Sequence, residues 1–238
     1  MEEFLASNGV RYEHHDVATD EPARAYLTSR GISSMPVTII DDDTVIIGYY
    51  PKKLIPALQL TIDVDLSGKT SWLADKYDTM LGATMRATQQ LSDAQLQQRL
   101  PWREHWSLRD LIIHVLSFPE LAWLSHRHGS MSTDDMRAAG ERLKDVVAGA
   151  AITAYGEEVR ASILAFLQSD DTVAFDRVVP AHYGGEVTVL ELLNIILSHS
   201  THHLKQVYWF MENELQVELL NPATEHDLEG IATPSALF

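Results

Sequence analysis

The chain has no cysteine among its 238 residues. That absence removes disulfides, cysteine–zinc sites, cysteine nucleophiles and dithiol redox chemistry. Basic residues are scarce as well: 18 Lys and Arg stand against 34 Asp and Glu, a formal charge of −16. Such a chain repels phosphate backbones, which argues against a nucleic-acid partner. Solubility is the plainer consequence of the same charge. Long apolar runs are missing too. No stretch approaches the roughly 20 apolar residues of a membrane-spanning helix. The opening "MEEFLASNGV" carries acid where a signal peptide carries base. A cytoplasmic protein without membrane or nucleic-acid partners is the expectation. No Gly-rich phosphate loop, paired carboxylates or Ser-His-Asp signature stands out. What is present is an ordinary 45% hydrophobic content and 11 histidines, in a length that suits one large domain or two small ones. A metal site here has to be built from His and carboxylate.

The two halves differ in pattern. In the first, "EEFLASNGV" reads as a short amphipathic helix closed by Gly9, and "RYEHHDV" as a strand with Tyr12, His14 and Asp16 on one face. "DEPARAYLTSRGI" predicts a second helix, with Pro22 in its first turn and Gly31 at its end. "PVTIIDDDTVIIGYY" predicts a hairpin turning at Asp41 to Asp43, and "PKKLIPALQL" a third helix. The polar "DLSGKTSW" reads as a linker. Long helical periods follow, about Trp72 to Gln90, Ser107 to Ser125, Ala151 to Leu167 and Val187 to Glu214, with Ser107 an N-cap. A short fifth helix falls in "TDDMRAAGERLKDVVAG". The expected fold class is α+β with two domains, a small α/β domain over 1–62 and an antiparallel four-helix bundle over 70–220. An irregular tail spans 221–238, with Pro222, Gly230 and Pro234.

The stretch "LSHSTHHLKQ" places three histidines in one helical period. On an ideal projection of about 100° per residue, Leu192, Ile196, Val207 and Phe210 form an apolar stripe. His199 and His203 lie within about 20° of its centre, while His202 falls about 80° away, at its edge. An i, i+4 histidine pair on one face can grip one ion; a surface cluster or a pair of satisfied core histidines is the alternative. His114, flanked by Leu111, Phe118 and Leu121 at helical spacing, also points inward. His105, His126, His128 and His182 fall in loops, the last beside the turn "HYGG" and able to line a pocket rim.

Two resemblances add to this reading. "SRGISSMPVTIIDDDTVIIGYYPKKLIPAL" resembles the glutaredoxin branch of the thioredoxin fold, with Met35-Pro36 at the cis-proline position and Gly48 closing the hairpin. The resemblance implies a cis Met35-Pro36 bond and a thiol- or partner-docking place at Met35 and Pro36. The family's first strand and its cysteines are absent, so the thioredoxin-like domain is incomplete. Either the given chain starts inside a longer protein, or the half is a remnant that packs on the bundle or on another chain. "WSLRDLIIHVLSFPELAWL" and "GGEVTVLELLNIILSHSTHHLKQVYWF" resemble the DinB/YfiT-like helical bundle proteins. That resemblance, over about residues 70 to 215, implies a divalent-metal site at His114, His199 and His203. Where the family often has Arg-Gly-Gln after the second histidine of the pair, this chain has Leu204-Lys205-Gln206, so only Gln206 matches.

Three neutral imidazoles leave a bound ion coordinatively open, and such an ion lowers the pKa of water or of a thiol. Zinc suits the ligand set; nickel and iron fit the same ligand type. The resemblance implies a metal-dependent transferase that activates a low-molecular-weight thiol, such as mycothiol or bacillithiol, against a small electrophilic substrate. A hydrolase using metal-bound hydroxide and a non-catalytic metal- or thiol-binding protein are the other readings. Asn194 and Gln206 stand as candidate substrate-binding residues near the metal-bearing face, with Tyr208 or Trp209 nearby. Glu191 and Glu212 read as solvated helix charges. The residues leave the oligomeric state open; the resemblance allows a homodimer, since bundles of this family often pair.

Overall fold

In the computed structural model the chain divides into two units, Met1–Asp65 and Leu66–Phe238. The structure describes all residues except 2–4, 7, 33–34, 42–43, 49–50, 61–65, 67, 183–184 and 235, and except the side chains of residues 51 and 52.

In the first unit, helix α1 (Glu21–Ser29) starts where Asp20 accepts the Ala23 N–H at 2.9 Å. Pro22 sits in its first turn, where a missing N–H costs nothing. Gly31 follows in the left-handed region (φ 68°). Strands β1 (Val37–Ile40) and β2 (Thr44–Ile47) form the expected antiparallel hairpin, with Val37 opposite Ile47 and Ile40 opposite Thr44. Part of its acidic turn, residues 42 and 43, lies outside the described residues. The Met35-Pro36 bond is cis, and the Pro36 carbonyl accepts the Gly48 N–H at 2.7 Å. Helix α2 (Pro51–Ala57) follows. Much of the expected first helix lies outside the described residues; Leu5 and Ala6 are helical, and Gly9 has φ 67°.

The expected strand "RYEHHDV" does not form. Residues 11–16 are exposed and carry no regular structure. The segment alternates polar with polar, so neither face has apolar area to bury. Its end is committed to a turn instead: the Asp16 carbonyl accepts the Thr19 and Asp20 N–H groups, and its carboxylate that of Ala18. Among the described residues the sheet of this unit has two strands, and the buried apolar side chains are Leu5, Leu27, Ile46 and Leu54.

The second unit is mostly helical. Its elements are α3 (Thr70–Gln89), α4 (Asp93–Leu96), a hairpin of β3 (Arg99–Leu100) and β4 (Arg103–Ser107), α5 (Leu108–His128), α6 (Thr133–Leu143), α7 (Gly149–Leu167), α8 (Thr172–Phe175), a hairpin of β5 (Val178–Ala181) and β6 (Gly185–Thr188), and α9 (Val189–Asn213). Helices α3, α5, α7 and α9 run 19 to 25 residues. Helix α9 packs chiefly on α5 and helix α3 on α7. Tyr77, Met80, Leu111, Ile112, Leu193, Ile196 and Leu204 are fully buried between them. The Tyr77 hydroxyl donates to the Leu193 carbonyl at 2.6 Å, which satisfies a polar atom in that core. At Gly156 an added Cβ would stand 2.9 Å from Met85 Sδ and 3.3 Å from Leu116, so a larger residue here would have to displace the Met85 side chain.

The two hairpins were not foreseen from sequence, and each feeds a long helix directly. Ser107 ends β4 and caps α5 in a reciprocal capping box with Asp110. Thr188 ends β6 and caps α9 in the same way with Glu191. Glu191 is therefore a capping residue rather than merely a solvated charge. Three loop assignments are also corrected. His105 lies in β4, and His126 and His128 lie in the last turn of α5, which continues to the left-handed Gly129 (φ 83°). The tail is irregular as expected, yet it packs on the helices. Ala223 and Leu228 are buried, the Tyr208 hydroxyl accepts the Ala223 N–H at 2.9 Å, and Gly230 lies against Trp72. Among the described residues no helix is long and apolar enough to cross a membrane.

Candidate metal centre

His114 lies about two turns into α5; His199 and His203 lie one turn apart on α9. Packing of α5 on α9 brings the three together. One ring nitrogen of each lies within 4.8 Å of the others. Nε2 of His114 stands 2.9 Å from Nε2 of His199, and the ring centroids are separated by 5.0, 4.9 and 4.5 Å. A tetrahedral ion with bonds near 2.0–2.1 Å holds neighbouring nitrogens about 3.3 Å apart. The His114–His199 pair is within a few tenths of an ångström of that spacing, and the group as a whole closes on one ion by ring movements of up to about 1.5 Å. His203 is buried, and His114 and His199 are half-buried.

Electrostatics keep the rings neutral. Burial pushes the pKa of His114 and of His199 well below the usual imidazole range, and the neighbouring histidines push in the same direction. Burial lowers His203 to about 4, against a raising hydrogen bond from Gln206. Near neutral pH all three are lone-pair donors, the form a metal requires.

Different partners hold the rings. His203 Nδ1 meets Gln206 Oε1 at 2.7 Å, while Gln206 Nε2 donates to the Leu237 carbonyl at 2.6 Å. The amide oxygen therefore faces the imidazole, Nδ1 carries the hydrogen, and Nε2 is left as the donor atom. His114 meets His199 through Nε2 and is otherwise held by aromatic rings: Trp106 edge-on at 5.0 Å and Phe118 tilted at 4.0 Å. Phe118 also stacks on His199 at 4.8 Å and 20°. Arg103 lies over Trp106, 4.5 Å from the ring centroid, and makes no ion pair among the described residues. Its charge reaches His114, His199, His202 and His203 and disfavours a proton on each.

The other sequence candidates sort as follows. His202 stays at the edge, its Nε2 3.4 Å from Gln206 Nε2. His182 is exposed, 3.2 Å from the Thr133 hydroxyl, and near enough that its charge acts on His114 and His199. His126 stacks on Phe166 at 4.7 Å, away from the triad. Asn194 is a correction. It precedes His199 by five residues and His203 by nine, which on a helix places it about 140° and 180° around from them. It therefore projects from the other side of α9. Gln206 does reach the cluster, but as a partner of His203 rather than as a free substrate contact. Tyr208 anchors the tail, and Trp209 lies edge-on to Trp102 at 5.5 Å. Met35, beside the cis bond of the first unit, is 46% exposed.

Sequence reasoning missed Arg103, Trp106, Phe118 and the returning tail as neighbours of the site. The cluster "WREHW" just before an N-cap was the available signal for the first two. Phe118, one turn after His114, was read only as a flank of the apolar face. Comparison with curated proteins and with solved structures finds no match. The profile of the DinB superfamily matches residues 76–207. That stretch runs from within α3 to within α9, contains all three histidines and covers more than half of the 238 residues. The chain belongs to the DinB superfamily.

Proposed function

We propose that the second unit binds a divalent metal at His114, His199 and His203 and uses it to activate a low-molecular-weight thiol against an electrophilic substrate. The observation that supports this most is the meeting of three imidazoles, each kept neutral by burial, with one ring nitrogen of each within 4.8 Å of the others and no carboxylate in the group. The donor set suits zinc, and also nickel or iron. When bound, the ion supplies the positive charge that lowers a thiol's pKa toward neutrality.

The chain's own residues do the rest. Gln206 keeps the His203 hydrogen on Nδ1. Phe118 and Trp106 pack against the rings and fix where they lie. The exposed Arg103 offers a cation at the rim of a chain whose formal charge is −16, so an anionic cosubstrate is drawn to this place rather than elsewhere. The reactive sulfur arrives on the cosubstrate, because the chain has no cysteine.

Metal analysis of the purified protein, zinc titration of the wild type and of His199→Ala, and conjugation of a model electrophile with and without added thiol test the reading. Bound metal lost in His199→Ala, together with thiol-dependent conjugation, is the expected result. No metal, or none lost on substitution, overturns the site. Metal binding with turnover indifferent to thiol overturns the transfer and leaves hydrolysis.

A further inference from the structure

The last residues of the chain return along α9 toward the candidate metal centre. The Ser198 hydroxyl donates to the Ala232 carbonyl. Lys205 Nζ donates to Thr233 Oγ1 at 2.9 Å, and Gln206 Nε2 to the Leu237 carbonyl at 2.6 Å. The Phe238 ring packs on Trp102 at 4.3 Å and on Trp209 at 5.0 Å. Ala232, Thr233, Leu237 and Phe238 are thus tied to several turns of the helix that carries His199 and His203.

One of these ties has a chemical consequence. The two ends of a glutamine amide have nearly the same shape, and only hydrogen-bond partners decide which way it points. Leu237 offers a carbonyl, which can only accept. It therefore takes the NH2 end of Gln206 and turns the oxygen end toward His203. The second NH2 hydrogen faces His202 Nε2 at 3.4 Å, a longer contact that agrees with this orientation but is too weak to impose it. An amide oxygen in turn accepts only from N–H, so His203 carries its hydrogen on Nδ1 and keeps a lone pair on Nε2. With the amide reversed, the NH2 would donate to Nδ1, the ring hydrogen would move to Nε2, and the ligand atom would be blocked.

We propose that the described residues of the tail beyond Gly230 are a positioning strap: the Leu237 carbonyl selects the Gln206 orientation, and through it the His203 tautomer that can ligate a metal. This rests on the metal reading given above and extends it to a segment about 30 residues beyond the ligands. Leu237 and Gln206 are positioning residues here, since neither touches the ion.

The test compares the full chain with one ending at Ile231, each with Gln206 and with Gln206→Glu. Both oxygens of a glutamate accept, so nothing is left for the carbonyl to select. In the metal-free proteins at pH 7, imidazole 15N shifts should report an Nδ1–H tautomer for His203 in the full chain and a mixture once the chain is shortened. Zinc affinity, measured by chelator competition, should fall about ten-fold on shortening with Gln206, and hardly at all with Gln206→Glu. An unchanged tautomer, or an equal affinity loss in both backgrounds, overturns the strap. Should the shortened chain fail to fold, full-length Phe238→Ala removes the tail's ring anchor and is read in the same way, with a smaller shift. The tautomer readout needs no metal. A full chain that binds no zinc would therefore sink the metal reading, while the 15N shifts still decide whether the tail orients His203.

Discussion

The two hairpin–helix segments of the second unit, β3-β4-α5 and β5-β6-α9, follow one local plan and hold their candidate ligands by different means. In both, the last strand residue is the N-cap of the helix, and a carboxylate three residues on closes a capping box. Beyond that they diverge. On α5, His114 sits among rings, with Trp106 and Phe118 against it. On α9, His203 is gripped by the Gln206 amide, itself held by the tail. Rings set where an imidazole lies but say little about which nitrogen carries the hydrogen. An amide sets that choice and depends on its own partners to do so. Position is thus secured on α5 by apolar packing, and donor identity on α9 by a hydrogen-bond chain.

The largest test asks whether the segments contribute equally as ligand sources. The binding free energy of a structural zinc site, shared among its ligands, comes to about 4 kcal/mol each, or roughly 1,000-fold in affinity. His114→Ala and His203→Ala should each weaken zinc binding by about that factor in calorimetric titration. Near-wild-type affinity in His114→Ala would reduce the site to the α9 pair and end the comparison.

Acid should act next, on the metal-free protein. His203 titrates near pH 4 when folded and near 6.5 when unfolded, and His114 and His199 are shifted in the same direction. Between those values the unfolded chain binds protons that the native state refuses. The stability contribution is therefore complete above about pH 6.5 and is lost as pH falls toward 4, by about 3 kcal/mol for His203 alone. Urea unfolding at pH 7.5, 5.5 and 4.5 measures it. His114→Gln and His203→Gln should each flatten the profile in part. A flat wild-type profile would show that both segments leave their rings solvated.

The caps should give smaller and matched effects. Ser107→Ala and Thr188→Ala should each cost about 1 kcal/mol in thermal or urea unfolding, since each leaves an N-terminal amide without its acceptor. Unequal losses would show that one hairpin holds its helix independently of the cap.

Legibility in the sequence followed the same division. The long helices could be read from their apolar period: α5 and α9 begin within a few residues of the expected positions because Ser107 and the stripe through Leu192, Ile196 and Phe210 mark them. The same angular arithmetic separated His199 and His203 from His202. It also puts Asn194 on the opposite side of the helix from the histidine pair, against its expected place near the site. The strand expected at "RYEHHDV" failed because alternation of polar with polar residues buries nothing. The short strands before the helix caps carried too few residues to show a period. Contacts from Leu237 and Phe238 to α9 are long-range and irregular, and no local pattern announces them. The hairpin and the cis Met35-Pro36 bond of the first unit are present, but two such local features do not make a thioredoxin-like domain. Its wider sheet does not appear among the described residues.

The smallest effect bears most directly on the division between packing and hydrogen bonding. Phe118 touches both segments, tilted on His114 and stacked on His199. Phe118→Leu keeps most of the apolar volume and removes the ring face, whose specific contribution is about 0.5–1 kcal/mol. If rings fix only position, zinc affinity should fall roughly two- to five-fold, and the imidazole 15N shifts of His203 should not move. The same substitution at Trp106 should act on His114 alone. A change in the His203 tautomer on replacing Phe118 would mean that the stack transmits orientation across the helix pair. Position and donor identity would then be one property of the site, and the contrast between α5 and α9 would dissolve.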